Sequence, residues 1–211
     1  MAYGQKAMTG HYKAMEGSLM DRIENHMYEL RRKSVTVSQS LQKSGIPHAV
    51  IGGLAVGAYL ARKDPSLVRT TKDLDILLRE VDLVRVSVAL QPHGFKYRKV
   101  LGIPAFIPMG GKFRDGVHVV FAGKKVRETD LMSAPELNDK LLTLSADQVV
   151  YLDLVNLMRM KLTSFRLKDR AHVQDFLEAG LITPKVEASL PSNLKARLEE
   201  VKDETERERL G

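Results

Sequence analysis

Apolar and polar positions alternate most cleanly over Asp73-Leu74-Asp75-Ile76-Leu77-Leu78, a pattern that predicts a strand. Side chains in a strand point to opposite faces in turn, so Asp73 and Asp75 share one side and Leu74 and Ile76 the other. Upstream, the apolar run His48-Ala49-Val50-Ile51 predicts a short buried strand and Leu54 to Arg62 a helix leaving it, with Gly52 and Gly53 in the turn between them. Gly116 to Gly123 predicts another strand. From Ser145 to Ala179 the apolar spacing is helical, with Ser145 as N-cap, Gly180 as the stop and a break near Asp153 that would divide the segment into two helices. On its apolar face stand Leu154, Leu157, Met158, Leu162, Phe165 and Phe176, with Lys161, Lys168, His172 and Asp175 interleaved at helical spacing. Gly17 to Ser44 predicts one or two amphipathic helices covering a face of the sheet, and Leu194 to Arg209 a charged helix.

These elements place chemistry at two points. A turn of two glycines at a helix N-terminus lets a phosphate approach backbone N–H groups, whose orientation favours an anion. Two carboxylates on one side of a strand repel each other unless a cation lies between them, and Mg²⁺ accepts one or two protein carboxylates together with substrate phosphate oxygens. Polar groups interleaved with the core-facing residues of the later helical segment are expected to line a cleft. There the bland reading, lysines reaching outward and His172 paired with Asp175, stands beside the functional one.

The ordered set Gly52, Gly53, Arg69, Thr71, Asp73 and Asp75 resembles the DNA polymerase beta-like nucleotidyltransferase superfamily, and among its members the small bacterial AbiE-type toxin nucleotidyltransferases. Lys161, Arg166, Lys168, Asp169 and Asp175 follow the order of that family's later motifs, so the resemblance spans roughly residues 47–177. It implies an α/β (α+β) nucleotidyltransferase fold: a short mixed β-sheet flanked by helices, with a C-terminal helical segment. It further implies that Asp73 and Asp75 hold Mg²⁺ or Mn²⁺ against a nucleoside triphosphate, with Gly52, Gly53 and Thr71 at the nucleotide. Lys161 would contact phosphates, Arg69 and Lys168 would add positive charge, and Asp169, His172 and Asp175 would line or orient the nucleotide site. Many members carry a third carboxylate on a later strand, whereas this chain has His118 at the corresponding position and Asp115 three residues earlier. Three readings stay open: His118 is the general base, Asp115 supplies a third metal ligand, or the site binds nucleotide without transferring it. The resemblance also raises a cognate antitoxin as partner.

Composition narrows the setting. The chain has 211 residues, 44% of them hydrophobic, which suits one domain with a helical appendage. The expected division is N-terminal helices over 1–45, the catalytic core over 46–130, a helical segment completing the cleft over 131–182, and a charged helix over 183–211. No cysteine is present, which excludes disulfides, thiolate metal sites and cysteine nucleophiles. No apolar run is long enough to span a bilayer and the first residues lack a hydrophobic signal region, so the expected location is the cytoplasm. The formal net charge is +7, and between Lys96 and Arg127 eight basic residues face the single acid Asp115. That excess suits a polyanionic partner such as RNA or tRNA, while a solvated basic face or a basic nucleotide pocket would produce it as well.

Overall fold

The computed structural model describes residues 19–138 and 142–210. The start of the predicted N-terminal helical segment, Gly17 and Ser18, lies outside the described residues. Helix α1 (Leu19–Lys43) leads into β1 (His48–Ile51), α2 (Gly52–Leu60), β2 (Leu74–Leu78), α3 (Leu83–Leu90), β3 (Phe95–Val100), β4 (Ile103–Pro108) and β5 (Val117–Phe121). After a long loop come β6 (Leu142–Leu144), β7 (Val150–Leu152), α4 (Leu154–Ser164), α5 (Leu167–Glu178), the short α6 (Pro184–Ala188) and α7 (Ser192–Leu210).

The seven described strands form one mixed sheet in the order β3-β4-β5-β2-β1-β7-β6. β2 runs parallel to β5 and β1 parallel to β7, while the other neighbours are antiparallel. β1 and β2 flank α2 in sequence but pair antiparallel, so the β1-α2-β2 unit is a hairpin-like excursion and not a parallel βαβ crossover. All four residues of β1 are buried, as befits a strand covered on both faces.

The main core joins Val50, Leu74, Ile76 and Leu78 of the sheet to Leu30, Val37 and Leu41 of α1 and to Leu157, Leu162, Val173 and Phe176 of α4 and α5. A hydroxyl ties the layers together: Ser38 of α1 bonds His48 Nε2 at 2.8 Å and accepts from the Val150 backbone N–H at 2.9 Å. Burial pushes the His48 pKa down, and this keeps the imidazole neutral inside that junction.

One predicted element differs. The helix does not begin at Ser145. Its hydroxyl instead closes a turn onto Val149, accepting from the Val149 N–H at 3.0 Å, and Val150–Leu152 then run as β7. The apolar run Val149-Val150-Tyr151-Leu152 satisfies a helical template and a buried-strand template alike, and pairing with β1 decides for the strand. Helix α4 starts after Asp153, whose carboxylate accepts from the Asn156 N–H at 3.1 Å. A second break falls at Phe165, in left-handed conformation at φ 48°, and α5 begins after it. β6 and β7 therefore lie inside the 131–182 stretch expected to be helical. No helix among the described residues is long and apolar enough to cross a membrane.

Candidate nucleotide-binding site

The turn between β1 and α2 is shaped by its neighbours. Gly52 has φ +72°, and a Cβ there would lie 2.2 Å from Asp75 Oδ2; a Cβ on Gly53 would lie 2.7 Å from Thr71 Oγ1. The glycine pair thus lets the loop before β2 and the Asp75 carboxylate close directly onto the helix start. In register, Asp75 sits opposite Ile51 of β1 on one side and His118 of β5 on the other.

Asp73, Asp75, Gly52, His118, Lys161, Lys168 and Asp169 all line one cavity of about 720 Å³. Lys161 enters from α4, is 6% exposed, and donates to Asp169 Oδ1 at 3.0 Å. Burial lowers its pKa, opposed by the fields of Asp169 and Asp75. Asp169, 1% exposed, also receives Arg166 Nε at 2.6 Å and the Ser164 hydroxyl. Burial alone would raise its pKa, but Arg166, Lys161 and Ser164 outweigh that and hold the carboxyl far below its ordinary range.

His118 Nδ1 lies 3.5 Å from Asp75 Oδ1, its Nε2 is 3.3 Å from the Phe113 carbonyl, and its ring stacks against Phe113 at 4.7 Å between centroids. The contact with Asp75 raises the His118 pKa, against the opposing effect of half-burial. Asp115 is turned away: its Oδ2 caps its own turn by accepting from Lys112 N–H at 2.9 Å, and it is not among the cavity residues.

Besides Asp115, five predicted site residues stand outside the cavity: Gly53, Arg69, Thr71, His172 and Asp175. Arg69 grips Asp175 through a two-pronged ion pair, Nε to Oδ2 at 2.7 Å and Nη2 to Oδ1 at 2.9 Å, and so ties the loop before β2 to α5. The pairing imagined between His172 and Asp175 is therefore absent. His172 has a buried Nδ1 with no hydrogen-bond partner, and burial, with Lys161 adding to it, pushes its pKa down to about 4. Thr71 serves the loop, packing on Gly53 and offering its carbonyl to His26 Nε2 at 3.2 Å.

No protein-family model and no curated protein sequence matches this chain. Among solved structures, an antigenic nucleotidyltransferase-like protein from Paracoccidioides brasiliensis superposes with a TM-score of 0.52 at 18% identity, covering 83% of this chain and 88% of that one. The fold is nucleotidyltransferase-like. The antibiotic-resistance factor ANT(2'')-Ia, with a TM-score of 0.38 at 11% identity over 86% of this chain and 83% of that one, is a more distant likeness and adds no weight.

In this nucleotidyltransferase-like fold no group of three or more His, Asp or Glu side chains is assembled to hold a metal by itself among the described residues. The two carboxylates that line the cavity, Asp73 and Asp75, are a donor set that a Mg²⁺-like cation could use only together with oxygens from a ligand or water. Lys124 and Arg127, expected only as part of a basic segment, line the cavity together with Arg159, Met132 and Ala134, which no sequence pattern singles out. The loop after β5 folds back on itself through Gly123 N–H to Ala134 O at 3.1 Å and Ala134 N–H to Lys124 O at 2.9 Å. Its basic composition was the available signal, but nothing in its spacing shows that it returns over the carboxylates.

Proposed function

We propose that the protein is a metal-dependent nucleotidyltransferase that moves a nucleoside monophosphate from a nucleoside triphosphate to an acceptor hydroxyl. The observation that carries this reading is the convergence of Asp73, Asp75, Gly52 and Lys161 on one cavity of about 720 Å³. Mg²⁺ or Mn²⁺, held by Asp73 and Asp75, would supply charge neutralisation at the triphosphate. Lys161 holds a buried ammonium toward the phosphates, and Asp169 fixes its position. The acceptor oxygen attacks the α-phosphorus, the bond to the β-phosphate oxygen breaks, and pyrophosphate leaves with the negative charge. His118, beside Asp75, is the group placed to take up the acceptor proton through its neutral imidazole. Catalysis of this type rests mainly on positioning and electrostatics.

For the acceptor we favour RNA, including tRNA, because Lys99, Lys125, Arg127 and Lys168 stand on the cavity rim without a carboxylate partner among the described residues. A growth-arresting toxin with a cognate antitoxin remains part of the proposal on the family resemblance, and growth arrest on expression is its readout. A second reading, a nucleotide-binding protein without transfer, is favoured by the His118–Asp75 contact where a third carboxylate would stand and by the diversion of Asp115 into its own turn.

Transfer of label from α-labelled nucleoside triphosphates with Mg²⁺ onto total RNA separates these readings. Wild-type protein labels RNA and an Asp73→Asn, Asp75→Asn protein does not. Tight nucleotide binding with no label on RNA, protein or small hydroxyl compounds would replace the enzyme by the binding protein.

A further inference from the structure

Past His118 the cavity wall turns apolar. On the sheet face that carries Asp75 and His118, the next outward pair is Leu77 and Val120, matched across β2 and β5. Two residues along a strand advance about 7 Å, the scale that separates a nucleotide's α-phosphate from its base. Val120 and Met160 pack against a small cluster of Ile51, Leu77 and Ala134, and Ile51, Val120, Ala134, Leu157 and Met160 face the cavity. Lys161 and Arg159 point from opposite flanks of α4, with Leu157 and Met160 on the arc between them. Both nonetheless line the same cavity.

Arg159 is poised in an unusual way. Its Nη1 donates to Asn156 Oδ1 at 2.7 Å, and Asn156 Nδ2 in turn donates to the helix-capping Asp153 at 2.8 Å. Its Nε is buried without any partner, and no carboxylate among the described residues lies within ion-pair distance of it. The edge left over, Nε with Nη2, is the same edge that Arg69 uses to grip both oxygens of Asp175. A desolvated donor without an acceptor is costly, and rotation of the long side chain toward the cavity would present this edge to a ligand.

We propose that the apolar end of the cavity is the nucleobase subsite, and that Arg159 makes it select a base offering two neighbouring acceptors. This rests on the nucleotidyltransferase reading above. Guanine offers N7 and O6, and cytosine N3 and O2. Adenine sets its donor amino group beside its ring acceptors and uracil alternates acceptor, donor, acceptor, so both meet a donor-only guanidinium badly. A phosphate would also satisfy the edge, but Val120, Ala134 and Met160, which line the same cavity, suit the face of a base and leave a phosphate poorly solvated.

Calorimetric titration of the full chain with GTP, CTP, ATP, UTP and inorganic tripolyphosphate, each with Mg²⁺, tests the proposal. GTP or CTP is expected to bind at least about tenfold more tightly than ATP and UTP. Arg159→Lys, which keeps the charge and loses the two-pronged edge, should collapse that preference to within about threefold. Arg159→Met gives a second collapse if the lysine variant does not fold. Equal binding of the four nucleotides by wild type overturns the subsite assignment while leaving the nucleotidyltransferase reading intact. A preference that survives in both variants also overturns it, as does an Arg159→Lys protein that loses tripolyphosphate as strongly as GTP. Absence of binding by every nucleotide and by tripolyphosphate defeats both readings together.

Discussion

At Asp169 a carboxylate with 1% of its side chain exposed receives Lys161, Arg166 and the Ser164 hydroxyl. Asp169→Asn keeps the shape but strands the buried Lys161 ammonium, for which a loss on the order of 3 kcal/mol is expected in chemical denaturation. Pairing it with Lys161→Met should recover much of that loss, whereas activity should not return. His172 makes a contrasting case, because its pKa in the folded chain falls to about 4 from 6.5, chiefly through burial. Between those values the unfolded chain binds the proton and the folded chain does not. Stability from this group is therefore complete above about pH 6.5 and is lost as the pH falls toward 4. Replacing the imidazole with His172→Phe should reduce the stability lost between neutral and mildly acid pH by on the order of 2 kcal/mol, read from denaturation midpoints at several pH values.

Among the elements, the turn from β1 into α2 makes the sharpest demand on residue type. Gly52→Ala forces a left-handed backbone on alanine and pushes a methyl group against Asp75 Oδ2 at 2.2 Å. Mg²⁺-dependent nucleotide binding should weaken at least about tenfold. Gly57→Ala in the same helix meets only Val68 Cγ1 at 3.5 Å and should leave binding intact while adding up to about 1 kcal/mol of stability. This turn, β1 and β2 were legible in the sequence because each is set by a few adjacent residues. The strand at Val150–Leu152 was not, since its four-residue apolar run fits two periods and only the position of β1 selects between them. Arg69 was given to the nucleotide for a related reason: its carboxylate partner Asp175 is 106 positions away, beyond anything spacing can reveal. Lys161 and Asp169, eight positions apart on consecutive helices, entered together only through the family resemblance; helical spacing does not reveal their ion pair, because the left-handed Phe165 between them redirects the chain.

Across the whole molecule, the Arg69–Asp175 pair is the cross-brace between the carboxylate-bearing loop and the helices that deliver Lys161 and Asp169. Arg69→Met and Asp175→Asn should each lower stability, and the double variant should lose less than the sum, with a coupling on the order of 1–2 kcal/mol in a double-mutant cycle. Nucleotide affinity should fall in the single variants even though neither residue lines the cavity. The cross-brace also has a bearing on how the protein is made. Asp73 and Asp75 leave the ribosome long before α4, α5 and the strand β7 that docks beside β1. In chain order the acidic half of the site is therefore made before the strand and helices that complete it, and the pocket closes only once β7, α4 and α5 have docked.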